Sequence, residues 1–164
     1  FPGGNIGNFT QEDAKQFLQH LRSFLRPGDY LLTGFDLKKD PAIILSAYND
    51  PAGHTAAFNL NLLTRINREL GANFDLDQWR HWETYNPVSG AARSFLVAEG
   101  KQTVNIADLD ETITFEPYEA ISVEISQKYS RQEIEQLAAA TGFSFVKHLE
   151  DSKGWFADSL WKVA

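Results

Sequence analysis

Phe1-Pro2-Gly3-Gly4-Asn5-Ile6-Gly7-Asn8-Phe9 decides how this chain is read: three glycines and two asparagines form a turn that runs straight into an amphipathic helix. Glycine at such a turn lets the backbone approach a ligand closely because no Cβ intervenes. In open α/β sheets, ligands sit where turns of this kind leave the carboxyl ends of strands. The stretch is neither GxGxxG nor GxxxxGK[ST], so it is no complete nucleotide fingerprint. A tight turn before a helix is the plain alternative.

The elements that follow fit an α/β core. Thr10 with Asp13 makes a variant capping box, and Ala14, Phe17, Leu18, Leu21 and Leu25 recur at three- and four-residue steps, marking one helix face. Pro27-Gly28 stops that helix. Residues 30–37 form an apolar run, as expected of a strand buried on both faces of a parallel sheet. Turn, helix and buried strand make half of a doubly wound fold. Such a turn normally follows a strand, and this chain opens at Phe1 with none before it and holds no methionine. The expectation is therefore a C-terminal portion of a longer protein.

Beyond Asp40-Pro41 the pattern changes. A helix reaches Tyr48, breaks at 49–53, and gives way to a longer helix with Leu62, Leu63, Ile66 and Leu70 inward and Gly71 just past its end. Residues 75–82 read as a further short helix. From 91 the period is two, with strands expected at 92–98, 102–106 and 112–126. Ser130 with Glu133 is a full capping box. Its helix stops at Gly142, and strands at 143–149 and 155–163 close the chain. The division expected is core at 1–38, an inserted α+β subdomain at 39–128, and closing helix and hairpin at 129–164.

Composition narrows the function. With 164 residues, 43% of them hydrophobic, the chain is long enough for a sizeable core. Lys+Arg 15 against Asp+Glu 22 gives a net charge of −7 without a basic run, which argues against nucleic acid and anionic membrane as partners. No cysteine is present, so thiolate metal sites and cysteine nucleophiles are excluded. No apolar run spans a membrane, and a cytoplasmic protein is expected. His20, His54, His81 and His148 lack metal-ligand spacing. Ser46, Ser89, Ser94 and Ser144 lack the G-x-S-x-G elbow of serine hydrolases.

Two places remain for chemistry. Glu124 and Ser126 alternate onto one face of a strand, offering a charged acceptor and a hydroxyl to one polar group; a solvated strand face is the other reading. Tyr48 ends a helix beside a Pro/Gly break, where a phenol reaches a cleft or stays half-buried with its hydroxyl wet.

FPGGNIGNF at 1–9, AYNDPAGHTAAFNLNLLTRINRELGANF at 47–74 and SVEISQKYS at 122–130 together resemble the C-terminal half of the histidine-specific, S-adenosylmethionine-dependent methyltransferases of ergothioneine biosynthesis. The resemblance covers essentially the whole chain. It implies the second half of a class I methyltransferase (Rossmann-like) sheet, with the substrate-binding subdomain inserted and an antiparallel hairpin at the edge. It implies S-adenosylmethionine as cofactor and transfer of methyl to the α-amino nitrogen of histidine or a related amino acid. Asn8 matches the asparagine holding the amino-acid head group, Tyr48 the tyrosine on the α-carboxylate, and Phe58 the wall of the cleft. Glu124 and Ser126 match the pair that takes the imidazole. Ser94 stands where histidine-specific members carry methionine. Phe1 and Gly3 fall near the methyl donor, while the main cofactor loop belongs to the N-terminal half, the partner this chain implies. The competing expectation is a catalytically inactive amino-acid-binding relative. An uncovered sheet edge also offers a route to a homodimer.

Overall fold

The computed structural model describes residues 1–164. In chain order the elements are α1 (Gln11–Arg22), β1 (Tyr30–Asp36), α2 (Pro41–Tyr48), α3 (His54–Leu70), β2 (Trp79–Asn86), β3 (Ala91–Ala98) and β4 (Gln102–Ile106). They continue as β5 (Glu111–Phe115), β6 (Ala120–Gln127), α4 (Arg131–Ala140), β7 (Phe143–Glu150) and β8 (Phe156–Val163). The chain divides into two compact units, one of residues 1–41, 86–92 and 125–164, the other of 42–85 and 93–124. The first differs from the contiguous insertion expected at 39–128. Its share of that stretch is explained by backbone bonds: Lys128 N–H donates to the Gly90 carbonyl at 2.8 Å, and Gly90 N–H to that of Asn86 at 2.7 Å.

The first unit is built on the sheet β1-β8-β7, antiparallel throughout, with Phe35 opposite Ala157 and Phe145 opposite Trp161. Ala14 and Leu18 of α1 and Ile134 and Ala138 of α4 bury against Leu31, Phe35 and Trp161. Alternation then leaves Tyr30 and Leu32 on the opposite face, exposed. The expectation of a strand buried on both faces thus holds from Thr33 on and fails at its start. A parallel component is nevertheless present. The Phe1 ammonium donates to the Leu32 carbonyl at 2.8 Å, and Gly34 N–H donates to the Phe1 carbonyl at 3.2 Å. Those two bonds flanking Thr33 are the pattern of a parallel pair. Leu37 and Tyr129 form a second parallel bridge.

In the second unit, Leu63 of α3 packs with Phe74, Trp79, Leu96, Val104 and Phe115. Most of the sheet β2-β3-β6 lies here, with the two-stranded β4-β5 hairpin. Two expectations are corrected. Residues 75–82 are no helix: a short 3-10 turn at Leu76–Gln78 leads into β2, where Trp79, His81 and Glu83 alternate inward. Residues 112–126 are two strands, β5 and β6, because Tyr118 takes φ of 67° and breaks the run. Its N–H donates to the Ala98 carbonyl at 2.8 Å, and Ala98 N–H to that of Glu119 at 2.9 Å, the bonding of a bulge.

Candidate functional site

The candidate residues fall in both units. In the first, the 1–9 turn is pinned by Ile6, which is fully buried, and by the Gly7 N–H donating to the Gly4 carbonyl at 2.9 Å. A Cβ on Gly7 would lie 3.1 Å from the Gln127 carbonyl and 3.8 Å from Ser126 Oγ. Glycine is thus what lets this turn press on the end of β6. Asn8 follows it, exposed, at the end of the 3-10 turn Asn5–Asn8. The structure therefore brings the Asn8 turn and Ser126 together.

Ser126 has a neighbour the sequence reading did not single out. Lys128 is 1% exposed, and its Nζ lies 2.7 Å from Ser126 Oγ and 2.7 Å from Asp36 Oδ2. Asp36 also receives Lys39 Nζ at 2.6 Å. Gly90, at φ of 78°, runs against the Lys128 carbonyl, and Gln127 Nε2 donates to the Ser89 carbonyl at 2.5 Å. Nothing in the sequence marks Lys128, since lysine is ordinarily solvated and this one lies just beyond the end of β6.

A shallow hollow of about 350 Å³ on this unit is lined by Gln11, Tyr129, Glu133 and Gln136. Burial raises the Tyr129 phenol well above its usual range, with Glu133 adding to the effect. Although burial opposes its charge, Glu133 is held below the usual carboxylate value by Lys38, at 2.7 Å, and by the Ser130 cap.

In the second unit, Tyr48 closes α2, half-buried. Just beyond it Asp50 caps α3, accepting from His54 N–H at 2.9 Å and Thr55 N–H at 2.8 Å. These backbone bonds depress the Asp50 carboxyl far below its ordinary value. Phe58 on α3 is exposed and lines a hollow of about 200 Å³ with Asn59, Leu62 and Val123, the residue before Glu124. Ser94 is buried and donates to Glu83 Oε2 at 2.6 Å; His81 Nε2 lies 4.0 Å from the same oxygen. Burial lowers the His81 pKa, against an opposing pull from Asp50. This His81–Glu83–Ser94 cluster lay hidden because residues 75–82 read as helix.

The sequence model of the histidine-specific, SAM-dependent methyltransferases matches residues 1–163. The chain belongs to that family. It is 41% identical over 160 residues to the histidine N-alpha-methyltransferase of Mycobacterium tuberculosis (strain CDC 1551 / Oshkosh), covering 98% of this chain and 50% of that protein. It is 32% identical over 151 residues to ergothioneine biosynthesis protein 1 of Schizosaccharomyces pombe (strain 972 / ATCC 24843), covering 92% of this chain and 19% of that one. Among solved structures, an S-adenosylmethionine-dependent methyltransferase from Clostridium acetobutylicum ATCC 824 superposes with a TM-score of 0.50 at 10% identity, over 99% of this chain and 56% of that one. This last likeness speaks for the fold alone, a class I methyltransferase part. The chain spans about half the length of the mycobacterial relatives it matches. No helix is long and apolar enough to cross a membrane.

For a family that uses S-adenosylmethionine, the residues present fit one edge of the cofactor. Gly3, at φ of 83° and exposed, has only the Asn5 side chain within reach of a Cβ, at 3.8 Å. Phe1, half-buried beside it, offers an apolar wall.

Proposed function

We propose that the full-length protein methylates the α-amino nitrogen of histidine or a related amino acid, and that this chain supplies most of the amino-acid side of its site. The observation that carries the reading is the buried Lys128–Ser126 contact inside SVEISQKYS, in a chain of the histidine-specific family. S-adenosylmethionine, when bound, supplies the methyl group on a sulfonium sulfur that an unprotonated amine displaces. Asn8 and Tyr48 hold the head group, Tyr48 by its phenol on the carboxylate. Phe58 excludes water from one side. Glu124 accepts an N–H from the substrate side chain and Ser126 answers a second atom; Ser94 tunes the fit through Glu83. Phe1 and Gly3 border the methyl donor, leaving space where a nitrogen gains bulk. Holding the amine oriented is the larger share of the task, since ordering two reactants removes much of a bimolecular barrier.

The further partner is the N-terminal half that the longer relatives carry. Without it, the free edge of β1 serves for pairing with a second copy. A cytoplasmic location accords with the acidic charge and with substrates that are small polar metabolites.

Calorimetric titration of histidine, then tryptophan and tyrosine, into the full-length protein with S-adenosylhomocysteine present tests the reading. Histidine binding tightest is the expected result. Preference for another amino acid moves the substrate within the class, and no binding by any of the three overturns the proposal.

A further inference from the structure

We infer that the bare face of the β1-β8-β7 sheet seats a helix of the N-terminal half, and that this helix brings a lysine or arginine to Asp158. The inference rests on the existence of that half and not on which amino acid is methylated. In an α/β fold, helices cover both faces of the sheet. Here α1 and α4 bury against Leu31, Phe35 and Trp161 on one face only. Along β8, Ala157, Ser159 and Trp161 turn to that core, while the alternate residues Phe156, Asp158 and Leu160 turn away from it. Register sets Leu32 beside Leu160, and Gly34 and Leu149 on either side of Asp158. Leu32 is 40% exposed and Leu149 51%. Apolar side chains gathered on one open face mark an interaction surface.

Asp158 says what kind of surface covers it. Its carboxylate stands on the middle strand between Phe156 and Leu160, and its Oδ1 is buried and accepts no hydrogen bond. No group of this chain is placed to satisfy it. On the β1 side is Gly34, where a Cβ would lie 2.7 Å from the Phe156 ring and 3.1 Å from Asp158 Oδ1. That side is closed. Lys147, diagonal to Asp158 on β7, is exposed and gives Oδ1 no hydrogen bond. A helix laid on this face strips the remaining water from the carboxylate, and a carboxylate out of water is tolerated only when paired. The covering helix must therefore carry a cation opposite Asp158. The pair would also set the helix at one position along an otherwise uniform apolar surface.

The mycobacterial relatives are about twice as long as the stretch they share with this chain, which leaves ample sequence for such a helix. A second copy fits less well. Two copies seated face to face across their middle strands would bring their Asp158 carboxylates near one another, and like charges repel.

The test uses the full-length protein carrying Asp158→Asn, which keeps the side chain's shape and removes its charge. Loss of a buried pair should lower the melting temperature by about 4 °C or more. A buried carboxylate without a partner gives the opposite sign, because neutralising it removes a desolvation cost. A rise, or no change, overturns the inference. Replacing the lysines and arginines of the N-terminal half by methionine, one at a time, should find one whose loss costs as much. In the Asp158→Asn background the same replacement should cost nothing or stabilise. Absence of any such residue overturns the pairing. Should Asp158→Asn not fold, Leu149→Cys supplies a second test, with iodoacetamide labelling read on the peptide that carries position 149. The introduced thiol should label about a hundredfold more slowly in the native protein than in urea, at about 1 and about 50 µM alike. Rapid labelling overturns the covered face, and protection that fades on dilution makes the occupant a second copy and overturns the N-terminal assignment. A protein that binds no amino acid yet passes these tests loses the substrate reading and keeps this docking face.

Discussion

Gly90 shows how closely the chain around Lys128 is specified. At φ of 78°, with the Lys128 carbonyl where a Cβ would stand, Gly90→Ala meets both a backbone penalty and a clash. The expected loss is about 2–4 kcal/mol, seen as a lower urea midpoint at unchanged slope. At the proposed head-group site the effect is on binding. Asn8→Ala and Tyr48→Phe in the full-length protein should each weaken histidine binding by about tenfold, the worth of one hydrogen bond to a charged group. Unchanged affinity in both, by calorimetry, would remove them from the site. The strand that carries Glu124 and Ser126 was legible from its alternation, and both residues do fall on β6. Lys128 was not, since lysine is ordinarily solvated and only the folded backbone, through Gly90 and Asp36, shows that this one is buried. Ser94 was singled out by resemblance; its partner Glu83 needed the structure.

Helix ends were the most readable elements, because caps are local. Ser130 Oγ accepts from Glu133 N–H at 3.2 Å, and Glu133 Oε2 accepts from Ser130 N–H at 2.6 Å, closing the capping box that starts α4. Ser130→Ala should cost about 1 kcal/mol in thermal or chemical unfolding. Glu133 also sets a pH dependence. Its folded pKa is depressed from 4.5, so its stabilisation is present above the unfolded value and is lost as pH falls through the folded one. Wild-type melting temperature should therefore drop on acidification below about pH 5, and Glu133→Gln should flatten that part of the curve. An equal slope in the variant would assign the acid sensitivity to other carboxylates. Strand boundaries were less legible. Residues 75–82 carry apolar residues at spacings that serve helix and strand alike, and burial of Trp79, His81 and Glu83 by the fold decided for strand. The break inside 112–126 depends on Tyr118 adopting φ of 67°, a choice no propensity for tyrosine announces.

For the molecule as a whole, the open edge of β1 makes the strongest demand. Phe1 covers that edge only around Thr33, by its bonds to Leu32 and Gly34, while the Tyr30 and Leu32 side chains stand exposed, 57% and 40%, on the sheet face opposite the core. The α/β class was legible from the order of elements, but a half-exposed β1 was not, because an apolar run cannot say which of its faces a neighbour covers. Unpaired strand edges with apolar residues recruit another strand. Residues 1–164 produced alone should accordingly self-associate. Sedimentation velocity at about 10 and 100 µM should show concentration-dependent growth, and Leu32→Lys, which places a charge on an edge strand, should return the chain to monomer. In the full-length protein the same substitution should act in the opposite sense. There the N-terminal half is expected to occupy this edge, so Leu32→Lys buries a charge and lowers the melting temperature. The isolated chain should also give no heat with S-adenosylhomocysteine, while the full-length protein should. A monomeric isolated chain at both concentrations, indifferent to Leu32→Lys, would mean that Phe1 and its neighbouring turn already suffice to close the edge.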